Sequence, residues 1–258
     1  MTEDETIAKG FDHEQYVELY NGLKVLNANT EQLKGNFSEV LSGGGVTIAI
    51  NAEKMWMIEK NILNLQELKN TINVVDGVAA IFGVKPDTNK SLNIEKIDLP
   101  MIAKNFCCDF NIPILVIGGS DLANKLAVEN IKRDHVSPNN VGGLHGYYTD
   151  STIMDTVYVW AERHRQMVVF LGLGSPKQEK LALKLWKENK DILFICCGGA
   201  INIMAGLVTR APDVIVRSKV EWLYRLILEP KKRIKRFPRL LFILFKLVQY
   251  HAKNCVKK

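Results

Sequence analysis

The stretch "FLGLGSPKQEKLALKLW", Phe170 to Trp186, decides how the rest of the chain is read. An apolar run from Met167 to Leu171 stops at Gly172-Leu173-Gly174-Ser175-Pro176, and a charged, alternating segment begins at Lys177. The run predicts a buried strand and the segment a helix, with a tight glycine turn between them. The pattern recurs along the chain. Val46 to Ile50 reads as a strand followed by a helix from Ala52 to Asn64, and Asn73 to Val75 as a strand ending at Asp76-Gly77. Ile114 to Ile117 is closed by Gly118-Gly119-Ser120 and followed by a helix from Asp121 to Arg133. Ile192 to Cys196 runs into Gly198-Gly199. Upstream, Gly22 to Leu26 is a short strand, and Thr30 to Leu41 a helix capped by Thr30 and broken by Gly43 to Gly45. Strands alternating with helices imply an α/β fold with a mostly parallel, Rossmann-like sheet and flanking helices.

Ligands of such sheets sit beyond the carboxyl ends of the strands, where helix amino termini point their amides. That places Asp76, Gly118, Gly172 to Glu179 and Gly198 to Asn202 around one crevice. Each turn also has a plainer reading. A βα connection needs residues tolerant of positive φ, Asp-Gly forms turns readily, and Gln178 and Glu179 suit the first turn of a helix.

Composition bounds the rest. With 258 residues, 47% of them hydrophobic, the chain has ample material for a core. Residues 1–20 read as a polar leader, 21–216 as the α/β domain and 217–258 as a basic, amphipathic helical appendage. The acidic, polar MTEDETIAKG start argues against a secretory signal, and the apolar run Leu240 to Phe245 is too short to span a bilayer. Cys107, Cys108, Cys196, Cys197 and Cys255 lack zinc spacing and read as reduced, mostly buried thiols of a cytoplasmic protein. Residues 217–258 hold thirteen Lys and Arg against Glu221 and Glu229, a balance of +11 that leaves −5 for residues 1–216. Such asymmetry points to an anionic partner at one end of the chain. A nucleic-acid polymer would fit the charge alone. Phe237, Leu240, Leu241, Phe242, Leu244 and Phe245 among those charges suit an anionic membrane interface better.

Two chemistries are disfavoured. A dinucleotide fingerprint would need its third glycine where Lys177 stands, and Asp191 precedes the next strand instead of closing it. A metal-bridged diphosphate would need paired carboxylates at a strand end, and there is no D-x-D there. His135, His145 and His164 have no partner at ligand spacing. Neither a metal nor a cofactor is expected.

"LGLGSPKQEK" (Leu171–Lys180), "GGAINIMAGLVTRAP" (Gly198–Pro212) and "EWLYRLILEP" (Glu221–Pro230) together resemble the WecG/TagA/CpsF family of bacterial glycosyltransferases. Shorter echoes are "NAE" at Asn51–Glu53, "VDG" at Val75–Gly77, "GGS" at Gly118–Ser120 and "HGYY" at His145–Tyr148. The resemblance implies an inverting, metal-independent hexosyltransferase of cell-surface polysaccharide assembly, acting peripherally at the inner face of the cell membrane. Its donor would be a UDP-sugar, N-acetylmannosamine-like, and its acceptor a sugar on a lipid diphosphate, polyprenyl in kind. It could assemble as a homo-oligomer. By the same resemblance Asp76 is the general base and Arg225 stabilises the departing diphosphate. Asn51, Gly118, Gly172, Gly174, Gln178, Gly199, Asn202, Lys232 and Lys235 line the substrate pocket. Ala49, Lys96 and Asn202 stand where many relatives carry threonine, arginine and aspartate.

Overall fold

A computed structural model describes residues 11–85, 91–209 and 234–255. Six parallel strands form the sheet: β3 (Gly45–Ile50), β4 (Ile72–Val75), β5 (Ile114–Gly118), β6 (Val141–Leu144), β7 (Val168–Gly172) and β8 (Leu193–Cys196). Their order is β4-β3-β8-β7-β5-β6, and every neighbouring pair is parallel. The mostly parallel α/β expectation therefore holds.

Both faces of the sheet are buried, which is why its strands read as continuous apolar runs. Ile48, Ile117, Leu171 and Phe194 pack against α3 (Ala52–Glu59), α8 (Asp150–Arg163) and α9 (Lys177–Glu188). Val116, Phe170 and Ile195 face α6 (Leu99–Asp109), α7 (Asp121–Asp134) and α10 (Ala200–Met204). Short helices α4 (Leu65–Leu68) and α5 (Val78–Phe82) flank β4.

Several boundaries differ from the sequence reading. Residues 11–20, read as part of a leader, contribute β1 (Tyr16–Glu18), which pairs antiparallel with β2 (Lys24–Leu26). The cause is apolar: Phe11, Tyr16, Val17 and Leu19 are buried. The helix expected over Thr30 to Leu41 is two, α1 (Thr30–Gly35) and α2 (Phe37–Gly43), parted at Asn36. Asn29, not Thr30, caps α1, and the Gln32 side chain returns to the Asn29 amide in a capping box. The helix after β3 stops at Glu59, followed by Asn61 with φ 54°. Strand β6 escaped notice because its centre is Gly142-Gly143. There, side chains would collide with Trp160 on one face and Val128 on the other.

The basic appendage supplies α11 (Phe237–Cys255), whose Ile243 and Leu247 are buried against the main core. Among the described residues no helix is long and apolar enough to cross a membrane.

The four described cysteines are unbridged. Burial pushes the Cys196 thiol well above its ordinary value, Cys108 to about 11 and Cys197 to about 12. Thiolate is the reactive form, so these sites should be inert. Alkylation of native protein at pH 8 should leave Cys107, Cys108, Cys196 and Cys197 unmodified, whereas in urea all four react. Mass spectrometry of the labelled peptides reads the difference, and rapid native labelling of any of them would contradict the packing.

Candidate active site

Parallel pairing brings the segments after β3, β4, β5, β7 and β8 to one edge of the sheet. Across that edge lie Asp76, Asn51, Gly198-Gly199, Gly172 and Gly118, in strand order. Adjacent strands are about 4.8 Å apart, so a ligand of nucleotide-sugar length spans several of these ends.

Asp76 is anchored through its backbone: its amide donates to the Ile50 carbonyl at 2.8 Å, extending the β3–β4 ladder by one residue. Its carboxylate is held from two sides. Asn51 Nδ2 donates to Oδ2 at 3.5 Å, and Lys96 Nζ lies 3.8 Å from Oδ1. Lys96 thus delivers a cation to this carboxylate. The Asp76 side chain keeps 35% exposure, enough for a ligand to touch it.

Asn51 is oriented by the helix it starts. It is the N-cap of α3, its Oδ1 accepting from the Lys54 amide at 3.2 Å. With the oxygen committed to the helix, the NH₂ end is turned to Asp76.

The turn between β7 and α9 is closed by its own side chains. The Gly174 amide donates to Gln178 Oε1 at 3.2 Å, and Gln178 Nε2 donates to Glu179 Oε1 at 2.9 Å. Gln178 is 1% exposed and engaged at both ends, so in this structure it holds the turn. Glu179 is fully buried with its carboxylate turned inward, and α9 has no side-chain cap at its N-cap Pro176. Its Oε1 accepts also from Ser175 Oγ at 2.7 Å and lies 3.3 Å from Lys54 Nζ. Lys177 pairs with Asp150 at 2.9 Å on the surface.

Gly118 and Gly172 have a packing reason to be glycine. They are paired across β5 and β7, Gly118 has φ 128°, and a side chain there would strike the Gly172 backbone. Gly174 has φ 80° in open space, and Gly199 starts α10 with open space above it. Asn202, half-buried on α10, accepts through its carbonyl from the Leu207 and Val208 amides.

Arg225 and Lys232 lie outside the described residues. Lys235 falls in the single 3₁₀ turn Ile234–Arg236 that leads into α11. Its neighbour Arg236 and then Arg239 both reach Glu53, each at 2.7 Å, and Arg239 stacks 4.5 Å above the Trp56 ring. The basic helix is thereby docked on the first turn of α3, two residues from Asn51.

The sequence reading missed Lys54 and Asn124. Lys54 is 6% exposed among Met55, Met57 and Ile58, so a cation on an apolar helix face was its signal. Asn124, 5% exposed on α7, donates to the carbonyls of Val116, Gly118 and Leu144 at 3.0 Å, stitching the ends of β5 and β6. Among the described residues no three His, Cys, Asp or Glu side chains gather as metal ligands would.

The sequence model of the "Glycosyl transferase WecG/TagA/CpsF family" matches residues 18–255. The chain belongs to this family. It is therefore a glycosyltransferase, of a family that works in cell-surface polysaccharide synthesis. In this WecG/TagA/CpsF glycosyltransferase the matched region takes in the whole sheet, its polar edge and α11.

Glu53→Gln should loosen α11. Its partners are partly exposed, so the loss is about 1–2 kcal/mol for the pair of contacts. Amide exchange over Phe237–Cys255 should quicken while the sheet stays protected. Unchanged exchange in α11 would show that Ile243 and Leu247 alone hold the helix.

Proposed function

We propose that this glycosyltransferase moves a sugar, N-acetylmannosamine-like, from a UDP-sugar to a lipid-diphosphate-linked acceptor, with inversion and without a metal ion. The observation that carries the reading is the partly exposed Asp76 carboxylate at the end of β4, held by Asn51 and Lys96. Inversion needs a single displacement: the acceptor hydroxyl attacks the anomeric carbon from the face opposite UDP, and a carboxylate takes the hydroxyl proton. Asp76 supplies that base, and Asn51 sets its direction.

The donor lies along the turns that end β5, β7 and β8, with Gly118, Gly172, Gly174, Gly199 and Asn202 bordering it. Gln178 serves the donor by holding the Gly174 turn. Negative charge developing on departing UDP is met by Arg225, Lys232 and Lys235, cations in place of a metal. The sequence supports this division, because cations crowd the appendage while no D-x-D closes a strand.

The lipid-linked acceptor implies work at the inner face of the cell membrane, with α11 as the contact. One side of α11 is docked on the domain. The opposite side presents Phe237, Leu241, Leu244, Phe245 and Val248, all exposed, at helical spacing. Arg236, Arg239 and Lys246 turn toward Glu53 and Glu59, so the outward stripe is apolar. An apolar stripe inside a segment of balance +11 suits an anionic lipid interface, where each basic residue near the surface contributes roughly 1 kcal/mol. A nucleic-acid groove offers no match for such a stripe.

Asp76→Asn should keep UDP binding by calorimetry and lower the transfer rate by about 10²–10⁴. Wild-type transfer should persist in EDTA. Near-wild-type turnover in the variant would remove Asp76 from the mechanism, and activity lost to EDTA and regained with Mn²⁺ would remove the metal-free one.

Vesicles containing anionic lipid should sediment the protein, less so at high salt. Leu241→Glu/Phe245→Glu should stay folded, since both side chains already face solvent, yet remain in the supernatant. Equal sedimentation of this variant would rule out α11 as the membrane contact.

A further inference from the structure

The interior of the active-site edge holds a charged pair to which the reaction above assigns no part. Lys54 and Glu179 are both buried, with Nζ 3.3 Å from Oε1. Burying two charges is costly, and their attraction offsets it only when further hydrogen bonds complete the pair. Glu179 Oε1 has such bonds, from Ser175 Oγ and Gln178 Nε2, while Oε2 is buried with no hydrogen-bond partner among the described residues. A well-packed apolar pair would satisfy this space at lower cost, so stability alone is a poor account of the charges.

Their placement gives a better one. Lys54 donates its amide to Asn51, the residue that orients Asp76. Glu179 anchors Ser175 and Gln178, and Gln178 in turn grips the Gly174 amide. The Lys54–Glu179 contact therefore joins the β3–α3 turn to the β7–α9 turn, which flank β8 in the sheet. Among the described residues, this pair runs from the side of the proposed base to the proposed donor turn.

We propose that Lys54 and Glu179 are positioning residues: their buried ion pair fixes the β3–α3 turn, and with it Asn51 and Asp76, relative to the β7–α9 turn. The inference rests on the donor and base assignments above, and deepens them. An ion pair suits the task because it is directional. Oε1 must accept from three groups at once, which leaves the two turns few relative positions, whereas apolar side chains slide. Misplacement of reacting groups by about 1 Å can cost on the order of 10²-fold in rate.

The test uses the full chain. Glu179→Gln keeps shape and removes the charge, and Lys54→Met does the same at the other end. Each leaves one buried charge alone and should lower Tm by roughly 10 °C. Lys54→Met/Glu179→Leu replaces both charges by apolar groups and should regain that stability. In the double variant, amide exchange at Asn51–Lys54 and Gly172–Gln178 should still be faster than in wild type, and the Kd for UDP should rise roughly tenfold. Wild-type exchange at both turns together with wild-type UDP affinity would reduce the pair to core filling and overturn the proposal. Should wild-type protein itself bind no UDP, the donor reading fails separately, and exchange at the two turns decides the positioning claim. If the double variant does not fold, the same two measurements on Glu179→Gln decide it.

Discussion

A parallel sheet leaves the carboxyl ends of all its strands on one edge, and the polar architecture of this protein depends on that constraint. Strands β3, β4, β5, β7 and β8 end within a few strand spacings of each other, although Asn51 and Gly198 are far apart in the chain. Two helices then meet where the strands stop. The N-cap and first turn of α3 carry three polar residues that reach different parts of the protein: Asn51 reaches Asp76, Glu53 reaches Arg236 and Arg239, and Lys54 reaches Glu179. One helical turn is therefore in contact with the proposed base, the basic helix and the glycine turn. Its side chains project in different directions because successive residues on a helix are about 100° apart.

Energetically the edge differs from the body beneath it. The core is a two-sided apolar sandwich, in which the few buried polar side chains, such as Thr47 and Asn73, are tied to backbone carbonyls. At the edge, buried polar groups are kept, and each is placed by hydrogen bonds. Asn124 donates to three carbonyls, Gln178 closes the Gly174 turn, and Glu179 gathers three donors on one oxygen. Such networks cost desolvation and give back rigidity, a trade that suits a site which must hold reacting groups in place.

The appendage resolves into two different surfaces on one helix. Ile243 and Leu247 join the core, whereas Leu241, Phe245 and Val248 face outward. Hydrophobic content alone does not tell these apart. Both sets read as apolar in the sequence, and only the docking of α11 against α3 assigns one set to the protein interior and the other to solvent or to a partner.

Much was legible from the residues alone. Short, largely apolar runs of three to five residues, most of them with glycine at or just past their ends, located β3, β4, β5, β7 and β8 closely, because strands buried on both faces leave a continuous signal. The family motifs include Asp76, Gly118, Gly172 and Gly199, and parallel connectivity put these residues on one edge of the sheet. The Gly-Gly centre of β6 hid a strand, since its glycines answer to Trp160 and Val128, which come from distant helices. The leader's β1 escaped because the apolar residues in and beside it, Tyr16, Val17 and Leu19, are interspersed with polar ones, and their burial shows only in what they pack against. Local sequence also determined that Lys177, Gln178 and Glu179 would share a turn, but not which would face inward. That was decided by Lys54, more than a hundred residues upstream, whose buried ammonium draws Glu179 into the interior and leaves Lys177 to Asp150 on the surface. A buried charge takes its direction from its partner, and the partner is supplied only by the tertiary fold.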